Sequence, residues 1–118
     1  MASYIGKYAF GNCFNLITTL FPDVTLIGEY AFYGCSALTT ISFPAVIQIG
    51  DSAFKNCTSL TTFILASTSM TSCGKSVFYG VNNVAIYVND SLVSDYQAAN
   101  NWSEYASQIK GLSELPSE

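Results

Sequence analysis

The stretch Ile27-Gly28-Glu29-Tyr30-Ala31-Phe32-Tyr33-Gly34-Cys35-Ser36-Ala37-Leu38-Thr39-Thr40-Ile41-Ser42-Phe43-Pro44 decides the fold, because the rest of the chain repeats it. Slid along the sequence, it superposes Ile5, Ile27 and Ile49, and likewise Cys13, Cys35 and Cys57, in steps of 22 residues. A degraded fourth copy opens at Cys73. Self-similarity at a period in the 20s marks a solenoid, whose units cannot bury an apolar face alone and so stack on one another. The expected fold is an α/β coil with a short-stranded parallel sheet, wound right-handed as parallel crossovers are.

Within a unit, counted from the Ile as position zero, position one is glycine in all four copies (Gly6, Gly28, Gly50, Gly74). That points to a close approach which a Cβ would block. The five following residues end in Ala-Phe or Val-Phe, too few for a free helix, and predict one helical or 3₁₀ turn held by packing. Position seven alternates Asn12, Gly34, Asn56 and Gly80, the two residue types that enter left-handed backbone most readily.

A short strand follows in each copy. Alternation turns Thr19 and Phe21, Ile41 and Phe43, Phe63 and Leu65, and Ile86 and Val88 inward. It turns outward Thr18, Thr40, Thr62 and Ala85 in one row and Leu20, Ser42, Ile64 and Tyr87 in the next. Stacked at about 4.8 Å, these rows form an open sheet face with a threonine ladder.

Composition narrows the function. The 118 residues make one domain, half hydrophobic and 10% charged, with a net charge of −4. The four basic residues are scattered lysines, which gives no footprint for nucleic acid. The absence of histidine removes the usual general base and imidazole metal ligand, and the absence of arginine removes the bidentate phosphate clamp. Both argue against an enzyme. No apolar run approaches the ~18 residues that span a bilayer. Met1-Ala2-Ser3-Tyr4 does not read as a signal peptide, so the chain is expected either to stay inside the cell or to belong to a longer exported parent.

The ends differ. The first unit is expected to lack the strand that should precede its Ile, and to expose Leu16, Leu20 and Phe21 on a bare edge suited to a second copy or further repeats. Repeats are expected over 5–88 and a helical cap over 89–111. Asp90 is expected to cap a helix carrying Leu92, Val93, Tyr96 and Ala99, and a second helix to carry Trp102, Tyr105, Ala106 and Ile109. Residues 112–118 read as a frayed tail.

Residues 27–44, Ile-Gly-x-x-Ala-Phe-x-x-Cys-x-x-Leu-Thr-Thr-Ile-x-Phe-Pro, resemble the repeat of BspA-type leucine-rich-repeat proteins. The resemblance covers about residues 5–88. Behind it, Ile86-Tyr87-Val88, Trp102-Ser103 and Ile109-Lys110 are similar to the closing segment of such arrays. The resemblance implies a leucine-rich-repeat solenoid, and in many members a bacterial surface protein that binds host proteins or other cells; it implies a C-terminal piece of such a protein and no catalytic residues. Ala66 departs from the pattern where Pro22 and Pro44 stand.

Apparent chemistry reduces to packing on this reading. Three cysteines in a line suit neither a disulfide nor a tetrahedral metal site, and predict a ladder of buried thiols. Lys7, Glu29, Asp51 and Lys75 at position two predict an exposed charge row rather than a carboxylate pair for hydrolysis or a cation site. The sequons at Asn56 and Asn101 are taken as accidental. Tyr8 and Tyr30 at position three, with Tyr33 and Tyr79 at position six, are the tyrosines that reach the surface, where binding sites use them.

The expectation is therefore a module without cofactor or metal that binds a protein of a host or neighbouring cell. Its contact face is Thr18, Leu20, Thr40, Ser42, Thr62, Ile64 and Tyr87. The alternative is a terminal segment that ends an array, or dimerises through the N-terminal edge.

Overall fold

The structure, a computed structural model, describes residues 3–17 and 20–115. The strands are β1 (Ser3–Ile5), β2 (Val24–Ile27), β3 (Thr40–Ser42), β4 (Gln48–Ile49), β5 (Thr62–Leu65), β6 (Ser72–Cys73), β7 (Ala85–Val88) and β8 (Ile109–Gly111). They form two parallel sheets, in the orders β1-β2-β4-β6 and β3-β5-β7-β8. The sequence reading anticipated only the second. The first joins segments of two to four residues that end on the repeat's Ile, too short for period-two alternation to register. The opening unit carries its own strand of this first sheet, β1, which pairs with β2.

The register is the one the period demands. Ile5 pairs with Ile27, Ile27 with Ile49 and Ile49 with Cys73. In the second sheet Ile41, Phe63, Ile86 and Ile109 form one column. Apolar side chains of equal shape therefore stack between the sheets. The Phe10, Phe32, Phe54 and Phe78 rings follow one another at centroid distances of 5.2, 5.0 and 5.8 Å, and the Phe21, Phe43 and Phe63 rings meet them edge-on or tilted from the other side. The edge-to-face and offset geometry adds about 0.5–1.5 kcal/mol per pair to the burial itself.

Between the sheets each coil turns through positions one to eight without forming a helix. Local bonds such as Ala31 N to Gly28 O and Tyr33 N to Tyr30 O close successive tight turns. The intervening amides bond across to the next coil, as in Tyr30 N to Asp51 O and Phe32 N to Ala53 O. The expected 3₁₀ turn is thus broken into chained turns by left-handed residues. Position seven has φ near 60–80°, as anticipated, and so, unanticipated, do Tyr8, Tyr30, Ser52 and Ser76 at position three. The position-one glycines let the coils approach: a Cβ on Gly50 would lie 2.6 Å from the Glu29 amide nitrogen, inside van der Waals contact.

The C-terminal end closes the stack differently from the expected helical hairpin. Only α1 (Val93–Ala98) is α-helical, and Asn89, not Asp90, caps the turn before it by accepting from Ser91 N. Ser103–Gln108 is a kinked 3₁₀ segment, and Ile109–Gly111 leaves it as β8, parallel to β7. Elsewhere, side chains replace the backbone of the missing next coil. The Ile5, Ile27 and Ile49 carbonyls accept from Gly28, Gly50 and Gly74, whereas Cys73 O accepts from Asn101 Nδ2 at 3.0 Å. Thr71 O accepts from Trp102 Nε1 at 2.7 Å, and Phe78 N donates to the Tyr105 hydroxyl. Residues 112–115 are ordered rather than frayed, since Leu112–Glu114 is a 3₁₀ turn in which Ser113 N donates to Asp90 Oδ1.

The N-terminal end has no such seal among the described residues. Phe32, Cys35, Leu38 and Phe43 are fully buried; their first-coil counterparts Phe10, Cys13, Leu16 and Phe21 are only partly buried. Phe14, Ile17 and Leu20 are more than half exposed.

Candidate functional site

The anticipated contact face divides into three parts. Thr40 and Thr62 pair across β3 and β5, as do Ser42 and Ile64, and all four are half-exposed. Leu20, bridged to Ser42, extends the strip to an exposed end. Thr18 and Thr19 lie outside the described residues. Tyr87 does not belong to the face: it is 7% exposed, because the Leu112–Glu114 turn folds back on β7. That turn carries no periodic signal and so was not legible.

The thiols are packing groups. All four cysteines are free. Cys35 Sγ donates to Phe10 O and Cys57 Sγ to Phe32 O, both at 3.0 Å, so the same bond recurs one coil on. The hydrogen bond with the Cys35 thiol, and then burial, push the Cys57 thiol up. Burial, with Glu104 and Asp51 nearby, pushes the Cys73 thiol up to about 12. A thiolate is the reactive form, so neither is suited to nucleophilic work at neutral pH. Among the described residues no three Cys, Asp or Glu side chains gather as metal ligands.

Position two is exposed, as expected of a charge row. Lys7 Nζ stands 3.6 Å from Glu29 Oε1 with both side chains half in solvent, a pair of little energetic weight. Asp51 Oδ1 accepts from the Lys75 amide at 2.9 Å.

The tyrosines make the most structured surface. Tyr8 and Tyr30 stack at 4.9 Å with an interplanar angle of 7°, and Tyr33 meets both edge-on. Lys55 Nζ lies 5.9 Å from the centroids of Tyr30 and Tyr33 and 5.3 Å from that of Tyr79, close enough for cation–π attraction. Tyr8 is 51% and Tyr79 62% exposed. Among the described residues no carboxylate pairs with Lys55. The four rings were legible as surface tyrosines; the convergence of three of them, Tyr30, Tyr33 and Tyr79, on one lysine was not, because it depends on positions three and six of neighbouring coils meeting.

A model of the BspA type leucine-rich repeat region matches residues 3–103 in six copies. The chain belongs to the BspA-type leucine-rich-repeat family. Comparison with curated proteins finds no match. Leucine-rich repeats generally mediate protein–protein interaction, and the family is typically non-catalytic. In this BspA-type chain, no helix among the described residues is long and apolar enough to cross a membrane.

Proposed function

We propose that the chain is a non-catalytic adhesion module of a bacterial cell-surface or secreted protein, which binds a protein of a host or neighbouring cell through the tyrosine patch around Lys55. A contrast within the repeat carries this reading. Position three takes left-handed backbone in every copy, and Ser52 and Ser76 fill it in the third and fourth. Position six is Gly11 in the first. The stack accepts small residues at both places, yet Tyr8, Tyr30, Tyr33 and Tyr79 occupy them elsewhere.

Left-handed backbone costs on the order of 1–2 kcal/mol for Ser as for Tyr, so the fold gains nothing in backbone energy by placing Tyr there, and the rings of Tyr8 and Tyr79 stand more than half in solvent. Exposed tyrosines around a lysine are what an interface core uses, since Tyr brings large contact area with few rotamers to fix. Lys55 suits a partner that brings an acidic side chain to the centre of the patch. The strip Leu20, Thr40, Ser42, Thr62 and Ile64, extended by Thr18, is assigned as a second contact face of the same module.

The test is an array of immobilised extracellular-matrix and bacterial-surface proteins probed with the whole chain. The proposal expects a saturable partner whose affinity falls at least tenfold in Tyr8→Ala/Tyr79→Ala, a loss of about 1.4 kcal/mol or more. Circular dichroism should stay unchanged. Undiminished binding by that variant, with loss in Thr40→Ala/Thr62→Ala, would move the site to the sheet strip. Silence across the array would remove the adhesion reading.

A second reading draws on the exposed Phe14, Ile17 and Leu20 of the first coil: a terminal segment that pairs with another copy through this end. Sedimentation at high concentration separates the two. A strict monomer ends the second reading.

A further inference from the structure

Where the first sheet meets the turns, two hollows of about 350 and 250 Å³ lie end to end and share Glu29, Gln48 and Gly50, so they form one trough crossing successive coils. Its floor is the glycine column Gly28, Gly50 and Gly74, where the coils approach closely and the Asp51 carboxylate reaches across to Gly74. One wall is the outward row of the first sheet, Tyr4, Leu26, Gln48 and Ser72, which changes from apolar to polar along the stack. The other wall carries the Glu29 and Asp51 carboxylates and, at its N-terminal end, the Lys7 ammonium 3.6 Å from Glu29 Oε1. Tyr4 stands at the N-terminal end with its ring edge over Gly6 and 64% of its surface open to solvent.

We infer that this trough is a binding cleft for a neutral oligosaccharide, separate from the tyrosine patch. Its chemistry selects the ligand by what each wall offers. Carboxylates accept from hydroxyl groups, the Gln48 amide both donates and accepts, and the Ser72 hydroxyl does the same. A polyol answers all three at once, and the apolar face of a sugar ring packs on an aromatic ring such as Tyr4. The alternatives fit worse. An acidic ligand meets two carboxylates, Glu29 and Asp51, against a single ammonium, Lys7, which already faces Glu29. An extended peptide needs free backbone partners, but the Gly28, Gly50 and Gly74 amides on the floor already donate to Ile5, Ile27 and Ile49. A hard cation wants six or more oxygens, and no group of three acidic or thiol ligands gathers among the described residues. The outward row is also free to vary: its members point away from the core, so Gln48 and Ser72 are not fixed by packing.

A microarray of neutral and acidic oligosaccharides tests this, probed with the whole labelled chain and with Gln48→Ala, Tyr4→Ala and Tyr79→Ala. Binding to at least one neutral glycan is expected, weakened fivefold or more by Gln48→Ala and by Tyr4→Ala and unchanged by Tyr79→Ala. Gln48 and Tyr4 are exposed, so a melting temperature within a degree or two of the parent shows that the loss is local. A silent array, binding confined to acidic glycans, or neutral-glycan binding that survives both trough variants would each overturn the assignment. Tyr79→Ala separates this outcome from the fate of the protein-binding patch.

Discussion

At the scale of single residues, two columns show how repetition turns a local choice into a property of the stack. A Cβ on Gly50 would sit 2.6 Å from the Glu29 amide nitrogen and 2.7 Å from the Gly28 carbonyl carbon, and backbone cannot yield as a side chain does. On Gly6, the first of the column, the nearest atom would be Tyr4 Cε2 at 3.6 Å. Gly50→Ala should therefore lower unfolding free energy by about 2–3 kcal/mol in urea titrations, and Gly6→Ala by well under about 1 kcal/mol. Equal losses would contradict the close-approach role. The thiols give a pH signature. An ordinary thiol titrates near 9.0, and burial raises Cys73 to about 12. The unfolded chain thus sheds at this thiol a proton that the folded chain keeps. Its contribution is full below pH 9 and is lost as pH rises beyond it, by up to about 1.4 kcal/mol per pH unit. The hydrogen bond between Cys35 and Cys57 shifts those two thiols in opposite directions, Cys35 down and Cys57 up. Melting between about pH 8.5 and 10.5 should show the decline, and Cys73→Ala should flatten it in part.

At the scale of elements, legibility followed periodicity. The second sheet, the phenylalanine column and the left-handed seventh position stand out because they recur in register over several copies. The first sheet escaped because its strands are too short to show alternation, and left-handed position three escaped because Tyr and Ser do not announce that conformation as Gly and Asn do. The cap was misread as a helical hairpin for a related reason. The spacing of Trp102, Tyr105 and Ile109 is helical, but each is placed to meet the open edge of the fourth coil, and Ile109 continues a strand column. Trp102→Phe would keep the burial and lose the bond to Thr71 O, leaving a buried carbonyl without its partner. The expected loss is about 1–3 kcal/mol by urea unfolding. Tyr105→Phe, which strips the acceptor from Phe78 N, should lose a little less because that amide is only partly buried. Two neutral outcomes would mean that the cap holds by apolar contact alone.

At the scale of the whole molecule, the described residues leave the stack sealed at its C-terminal end and unsealed at its N-terminal end, and its faces differ in how much the fold requires of them. The second sheet presents a threonine and serine strip that was legible almost residue by residue, apart from buried Tyr87. The tyrosines were legible as surface residues that a binding site uses, but neither their gathering around Lys55 nor the trough was, since each brings together residues of different coils at sequence separations near the repeat length. The central claim is that Tyr8, Tyr30 and Tyr79 sit on the stack without being needed by it. The direct measurement is the urea unfolding free energy of Tyr8→Ser/Tyr30→Ser/Tyr79→Ser against the parent. Serine already holds this left-handed backbone at positions 52 and 76, so the exchange leaves the backbone cost unchanged and removes only contacts among partly solvent-exposed rings; the account predicts a loss of no more than about 1–2 kcal/mol. A loss of several kcal/mol would contradict it, because the rings would then be structural and the patch would have no call on a partner.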